Sequence, residues 1–173
     1  MLSLAPLFLA ALLYAPPSVT FVPLTEAAML DAPMRHIRTS DQSVFRLVRR
    51  GFRASSTFAS LVRRLHRSDV IVYVEDVPRL PGALDGRMMM LPRANGVRYV
   101  RIQLALRGAP EDAIAVLGHE LQHAVEVAEA IDVIDAGGLE KLYRRIGVRS
   151  GPQVYDTIAA QELGKVVRRE VAG

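Results

Sequence analysis

Apolar positions along the chain fall into three regimes. Between Ser40 and Arg67 they recur at intervals of three and four, as Val44, Phe45, Val48 and Phe52 and then Phe58, Leu61, Val62 and Leu65. That is the spacing of two amphipathic helices. Ser40 or Asp41 is placed to cap the first and Gly51 to end it. From Val70 onward the period falls to two. "DVIVYVED", "RMMMLP" and "VRYVRIQLAL" read as strands, "RLPGALDG" as a turn-rich connection and "RANG" as a hairpin turn. Val100, Ile102, Leu104 and Leu106 share one face of the third strand, and Arg101, Gln103 and Ala105 the other, so one side of the sheet is expected to be wet. The helical period returns in "AIAVLGHELQHAVEVAEAIDVID", with Pro110 near its first turn and Glu111 and Asp112 suiting a helix amino terminus. Ala113, Val116, Leu117, Leu121, Ala124, Val125 and Ala128 make this a largely buried helix, which Gly137 and Gly138 are expected to break. "LEKLYRRIG" reads as a short amphipathic helix and "VYDTIAAQELGKVVRREV" as the closing one.

The order is helices, a small sheet of three or more strands, one buried helix, then helices. This is an α+β domain, and 173 residues are enough for one such domain with a real core. Residues 23–173 are expected to form it, with Val22 to His36 as an irregular tether or short first helix. Residues 1–22 hold an apolar run, Leu2 to Ala15, that ends at a Pro-Pro pair. Its length suits the apolar region of a signal peptide and is short for a membrane span. The expectation is an exported protein, periplasmic or secreted, with no stable membrane insertion once the signal is removed, or a cytoplasmic one if the segment is not a signal.

Composition narrows the chemistry. There is no cysteine, so a disulfide framework and thiolate metal sites are excluded, and any metal must be held by His, Asp or Glu. The net charge is +4, and nine arginines lie between Arg35 and Arg67 with Asp41 as the one acid. Such a stretch is either the solvated side of two helices or a surface for a polyanion. No recognition-helix pattern or aromatic interleaving accompanies it, so no nucleic acid is expected as a partner, and the chain is expected to be a monomer.

Within the buried helix stands "GHELQH". His119 and His123 lie one turn apart and about 40° apart around the helix, so both imidazoles can reach one ion at about 2.1 Å. Glu120, at the edge of the same face, is placed to hold and deprotonate water. Two buried histidines with an acid between them would otherwise leave several polar groups to satisfy at a cost, so a metal site is expected, with Zn2+ as the ion. The third ligand is open among Asp156, Glu162 and Glu126. Asp156, at the start of the closing helix beside the small Ala159 and Ala160, is the preferred one. Glu126 rises beyond His123 and suits a hydrogen bond to that ring better than the ion. His36 and His66 lie before the sheet and are not expected in the site. Tyr155, Tyr143 and Arg144 are the donors considered for a developing oxyanion, with Tyr155 placed in the catalytic set.

"GHELQH" followed by a carboxylate on a later helix resembles the gluzincin branch of zinc metalloproteases. The stretch from Ser68 to the carboxy terminus is also similar to a family of small uncharacterised bacterial proteins with a "HELQHAVEVAE"-like helix. The resemblance implies a minimal zincin-like domain, His119, His123 and Asp156 as metal ligands, and Glu120 as general base. This sequence has Asp where the family is expected to have Glu, so the third carboxylate is one methylene shorter. The function expected is a zinc-dependent metallopeptidase in which Glu120 assists attack of a zinc-activated water on a peptide bond of a peptide or protein substrate. "VRYVRIQLAL" is expected to supply the edge along which that substrate lies. The alternatives are a non-catalytic zinc-stabilised protein that binds nucleic acid or another polyanion through its Arg-rich helices, and a hydrolase acting on a non-peptide amide or cell-wall material.

Overall fold

The computed structural model describes residues 32–151 and 154–173. The expected 1–22 segment and the start of the tether therefore lie outside the described residues. After a short 3-10 turn, Ala32–His36, the elements are β1 (Ile37–Arg38), α1 (Gln42–Ala54), α2 (Ser56–His66), β2 (Val70–Asp76), β3 (Gly86–Ala94), β4 (Val97–Leu104), α3 (Pro110–Glu129), α4 (Ala136–Ile146), β5 (Val148–Gly151), β6 (Val154–Asp156) and α5 (Ile158–Ala172). The fold is α+β. Its main sheet has the order β1-β2-β4-β3, with β1, β2 and β4 parallel and β3 antiparallel to β4.

The alternation in β2 and β4 does what the pattern requires. Val70, Val72, Val74, Val100, Ile102 and Leu104 are buried on one face, where Phe58, Leu61, Leu65, Ile114, Leu117 and Leu121 from the helices complete the core. The opposite face carries stacked Tyr73 and Tyr99 and the polar set Glu75, Arg101, Gln103 and Arg87. The hairpin between β3 and β4 turns on Asn95 and Gly96, with φ of 51° and 78°. Both signs are those a tight two-residue hairpin needs, and the Asn-Gly pair accepts them at low strain.

Several sequence expectations are corrected. Gly51 does not end α1, which continues to Ala54; the glycine sits where an added Cβ would lie 3.0 Å from Ile114 and 3.1 Å from Phe58, so its role is close packing. β4 is internal, not an edge, because the parallel pairing with β2 and the hairpin with β3 occupy both its sides; β3 is the outer strand. α3 stops at Glu129, well before the glycine pair, and Gly137 and Gly138 lie in the first turn of α4, where the Asp135 carboxylate accepts from Gly138 N at 2.8 Å. Asp156 belongs to a two-stranded hairpin, β5-β6, that precedes the closing helix.

The early stop of α3 has a cause in β4. Arg98 is only 2% exposed, although it shares the inward face of an apolar strand. Its Nη1 reaches the carbonyls of Val127 at 2.6 Å, Ala130 at 2.8 Å and Val133 at 3.2 Å, and its Nη2 donates to Ala128 O at 3.1 Å. The same guanidinium grips Asp69 through Nε–Oδ2 at 2.8 Å and Nη2–Oδ1 at 2.5 Å. The cation thus satisfies the carbonyls that a helix leaves unpaired at its carboxy end, where the helix dipole also favours positive charge. At the other side of the domain, the Glu170 carboxylate on α5 accepts from Ser55 Oγ, Ser56 Oγ and the N–H and hydroxyl of Thr57, joining α5 to the amino terminus of α2.

Replacing Arg98 with alanine is expected to cost a few kcal/mol of stability, because four carbonyls lose a donor and each buried acceptor left unmet costs about 1–3 kcal/mol. Urea unfolding of R98A checks this. Asp69, about half exposed, is held below the usual carboxylate range chiefly by its hydrogen bond to Arg98. A depressed carboxylate stabilises above its unfolded pKa, so this share of stability is present at neutral pH and lost as pH falls through the acid range. Asp69→Asn should flatten that loss and cost less at pH 7 than R98A.

Candidate metal centre

Three side chains from two elements converge on one point. His119 and His123 project from the same side of α3, and Asp156 arrives from the end of β6. Nε2 of His119 and Nε2 of His123 are 3.2 Å apart, and Asp156 Oδ1 lies 3.3 Å from the first and 3.4 Å from the second. These three atoms form a nearly equilateral triangle of donors, a group able to hold a metal ion. Two imidazole lone pairs and a carboxylate oxygen meeting so closely need a positive charge among them, either a proton or an ion. The edge of a tetrahedron around an ion bound at 2.0–2.1 Å is about 3.3–3.4 Å, which matches the triangle; cis positions of an octahedron at that bond length are closer, about 3.0 Å.

The surrounding groups hold the donors in place. His123 is buried, and its Nδ1 donates to Glu126 Oε2 at 2.9 Å, which turns Nε2 toward the triangle. Glu126 in turn accepts at Oε1 from Thr157 Oγ1 at 2.7 Å and from Gln122 Nε2 at 3.3 Å. Thr157 is also the amino-terminal cap of α5, its hydroxyl accepting from Ala160 N at 3.1 Å. One hydroxyl therefore starts α5 and ties that start to the carboxylate that orients His123. Asp156, the preceding residue, is fixed by Thr157 N to Oδ1 at 2.7 Å and by Gln161 Nε2 to Oδ2 at 2.9 Å. His119 faces the backbone of Ala160.

Gly118 lets α5 approach α3 closely, while Gly164 faces His119 at ordinary contact distance. A Cβ on Gly118 would lie 3.1 Å from Val167, and one on Gly164 would lie 3.4 Å from the Cβ of His119. A third, Gly86 at the start of β3, leaves room for Glu120, because a Cβ there would come within 2.8 Å of Glu120 Oε1 and of Val116. Glu120 and His119 line a cleft of about 680 Å³ that also includes Asp85, Gly86, Arg107, Gln161 and Arg168. Among the described residues Glu120 has no hydrogen-bond partner. Burial pushes its carboxyl up to about 7 against the opposing pull of His123.

Without an ion, burial works against charge on His123, but hydrogen bonds to Asp156 and Glu126 overcome it and raise the ring to about 9. His119 is pushed down by burial and by the neighbouring His123. Asp156 is held at about 2: burial opposes this, and the hydrogen bonds from His123 and Gln161 prevail. The metal-free centre accordingly carries one proton on His123, neutral His119 and ionised Asp156.

Of the residues weighed from sequence, Glu126 lies beside the triangle as the hydrogen-bond partner of His123 and not as one of its corners. Glu162 is exposed and paired with Lys165 at 2.7 Å. His36 and His66 pack edge to face on each other, far along the chain from the triangle, with His36 Nδ1 on Val70 O. Tyr143 is buried with its ring 5.3 Å from His123. Its hydroxyl lies near Glu126 but too poorly aligned for a hydrogen bond, and burial followed by the Glu126 charge drives the phenol far above its ordinary value. It is therefore a neutral wall behind the ring. Arg144 is exposed and paired with Glu140 at 2.6 Å. The side chain of Tyr155 lies outside the described residues. Thr157 was missed by sequence reasoning, although a threonine directly before a helical run is itself a cap signal.

Equilibrium dialysis against a divalent ion should give one site per chain, lost in His123→Ala and Asp156→Ala and kept in Glu162→Ala. Glu126→Gln should weaken affinity by about 10–100-fold, the usual effect of losing a carboxylate behind a ligand imidazole. Because His123 must shed its proton to bind an ion, uptake at pH 7 should release protons, and affinity should climb with pH until about 9 and then level. No protein-family model matches this chain, nor does any curated protein or any solved structure.

Proposed function

We propose that the protein is a zinc-dependent hydrolase, a metallopeptidase, with His119, His123 and Asp156 as ligands and Glu120 as general base. The observation that carries this reading is Glu120: a buried carboxylate with no partner among the described residues, directly next to a three-donor triangle and facing a cleft. A zinc that served only to staple the fold would need neither the open fourth position nor a free carboxylate beside it. Two imidazoles and one carboxylate suit zinc better than the hard cations that take oxygen ligands throughout. When bound, the ion supplies Lewis acidity, lowering the pKa of water and polarising a carbonyl.

The chain's own groups divide the rest. Glu120, poised near 7, takes a proton from water at its carboxylate and returns it to the leaving amine. Glu126 and Thr157 hold the His123 ring so that its Nε2 stays directed at the ion. Tyr155 remains the proposed oxyanion donor. The outer strand β3, whose first residue Gly86 touches Glu120, offers the free edge along which an extended peptide can add backbone hydrogen bonds, a role the sequence assigned to β4. Among the described residues no helix is long and apolar enough to cross a membrane. Arg50, Arg64, Arg98 and Arg101 are each committed to an acid, which takes part of the basic charge out of any nucleic-acid surface. Export of the mature chain, by removal of residues 1–22, is the localisation we favour from the sequence.

Elemental analysis of the purified full chain should find one zinc, and Glu120→Gln should keep the zinc while lowering hydrolysis of a peptide library by about 10²–10⁴-fold. Unchanged hydrolysis in E120Q, or no zinc after metal-replete purification, would overturn the proposal.

A further inference from the structure

A second groove lies on α1, with a volume of about 580 Å³, lined by Phe45, Arg46, Arg49, Arg50 and Arg53. The arginines stand at i, i+3, i+4 and i+7, one side of the helix, opposite the buried Val44, Val48 and Gly51. No acid occurs in the sequence from Gln42 to Ser68. Among the described residues Arg46, Arg49 and Arg53 have no carboxylate partner. Arg50 bonds Glu111 in the first turn of α3, and the next residue, Asp112, bonds Arg168 at 2.7 Å. Asp112 and Arg168 both line the cleft that holds His119 and Glu120. The basic groove and the cleft therefore meet across one helical turn.

We infer that the α1 groove docks an acidic segment of the substrate polypeptide, whose chain continues past the first turn of α3 into the cleft. The inference rests on the peptidase reading for the chemistry in the cleft, and on the groove alone for the binding. Guanidinium groups pair well with carboxylates, and Arg50 with Glu111 and Arg168 with Asp112 are already ion-paired at the junction. α1 is about 20 Å long, which an extended segment of about six residues would span. A single-stranded nucleic acid would want exposed aromatic faces for its bases. The groove's one aromatic, Phe45, is already covered by Arg49, whose guanidinium carbon is 5.7 Å from the ring centre. A lipid surface would engage this basic face without regard to the cleft, whereas the Arg50–Glu111 and Asp112–Arg168 pairs tie the face to the cleft's edge.

The test is fluorescence anisotropy of labelled poly-L-glutamate with the full chain at low and physiological salt, alongside the triple variant Arg46→Glu, Arg49→Glu, Arg53→Glu. Binding is expected to weaken at least tenfold in the triple variant and to weaken with salt. The companion variant with lysine at the same three positions retains charge, so it should keep most of the affinity; this separates lost charge from lost folding. His123→Ala, which removes a proposed ligand, should bind poly-L-glutamate as the unmutated chain does, so failure of the zinc reading leaves the docking result legible. Conversely, zinc content and hydrolysis of an uncharged peptide should persist in the triple glutamate variant. Equal binding by that variant would overturn the inference, as would tighter binding of a labelled DNA 20-mer or of phosphatidylglycerol vesicles than of poly-L-glutamate at the same salt.

Discussion

The position of the metal centre depends on where α3 ends, and that is set by one guanidinium. Arg98 is fixed in the sheet by its place on β4 and by Asp69, and it takes the last carbonyls of α3 as acceptors. A buried arginine tolerates neither sliding of the helix along its axis nor rotation about it, because either would strand a charge in the core. His119, Glu120 and His123 are about one to three turns upstream of that clamp. Their height above the sheet, and the contact of Glu120 with Gly86 on β3, follow from it. An apolar core of Val, Ile and Leu would hold α3 against the sheet without choosing its register so narrowly.

From α3 the order passes to the last element through one hydroxyl. Thr157 Oγ1 donates a hydrogen bond to Glu126 and accepts one from Ala160 N, so the same atom begins α5 and locks Glu126 to His123. Burying Glu120, Gln122, His123 and Glu126 on one helix costs a great deal unless each finds a partner. Three of them do, within a single connected set. Glu120 is the exception. A protein that spends stability on such an exception, next to a ready set of three donors, has reason to keep that carboxylate free.

Much of this was legible in the sequence, and the failures share a physical cause. Periods of 3.6 and 2 located α1, α2, β2, β3, β4 and α3, because burial on one face writes itself into consecutive residues. Asn95-Gly96 marked its hairpin, since few other pairs accept two positive φ values. The two histidines and Glu120 were readable because helical geometry alone makes them neighbours. Asp156 was selected for its position before a run of small residues, but its delivery from a strand was not seen, as a three-residue strand has too few positions to show a period. Arg98 was not singled out, because besides Asp69 its partners are carbonyls from α3 and the following loop, which have no side-chain signature. The rank of β4 inside the sheet was likewise hidden, because strand order is decided by crossovers and not by local pattern.

The shorter acid at position 156 is explained by the same geometry. A carboxylate sent from within a helix must cover the distance between two packed helix axes, which suits Glu. Here the donor leaves from the residue just before the cap, where the chain passes closer to α3 than the helix itself can. Gly118 leaves out a side chain that would press on Val167 of α5, and Thr157 pulls the first turn of α5 onto Glu126. With the backbone brought in, the extra methylene of Glu would carry the carboxylate past the triangle's third corner, while Asp places Oδ1 3.3 Å and 3.4 Å from the two imidazole nitrogens. The short acid and the close approach of the backbone thus fit each other.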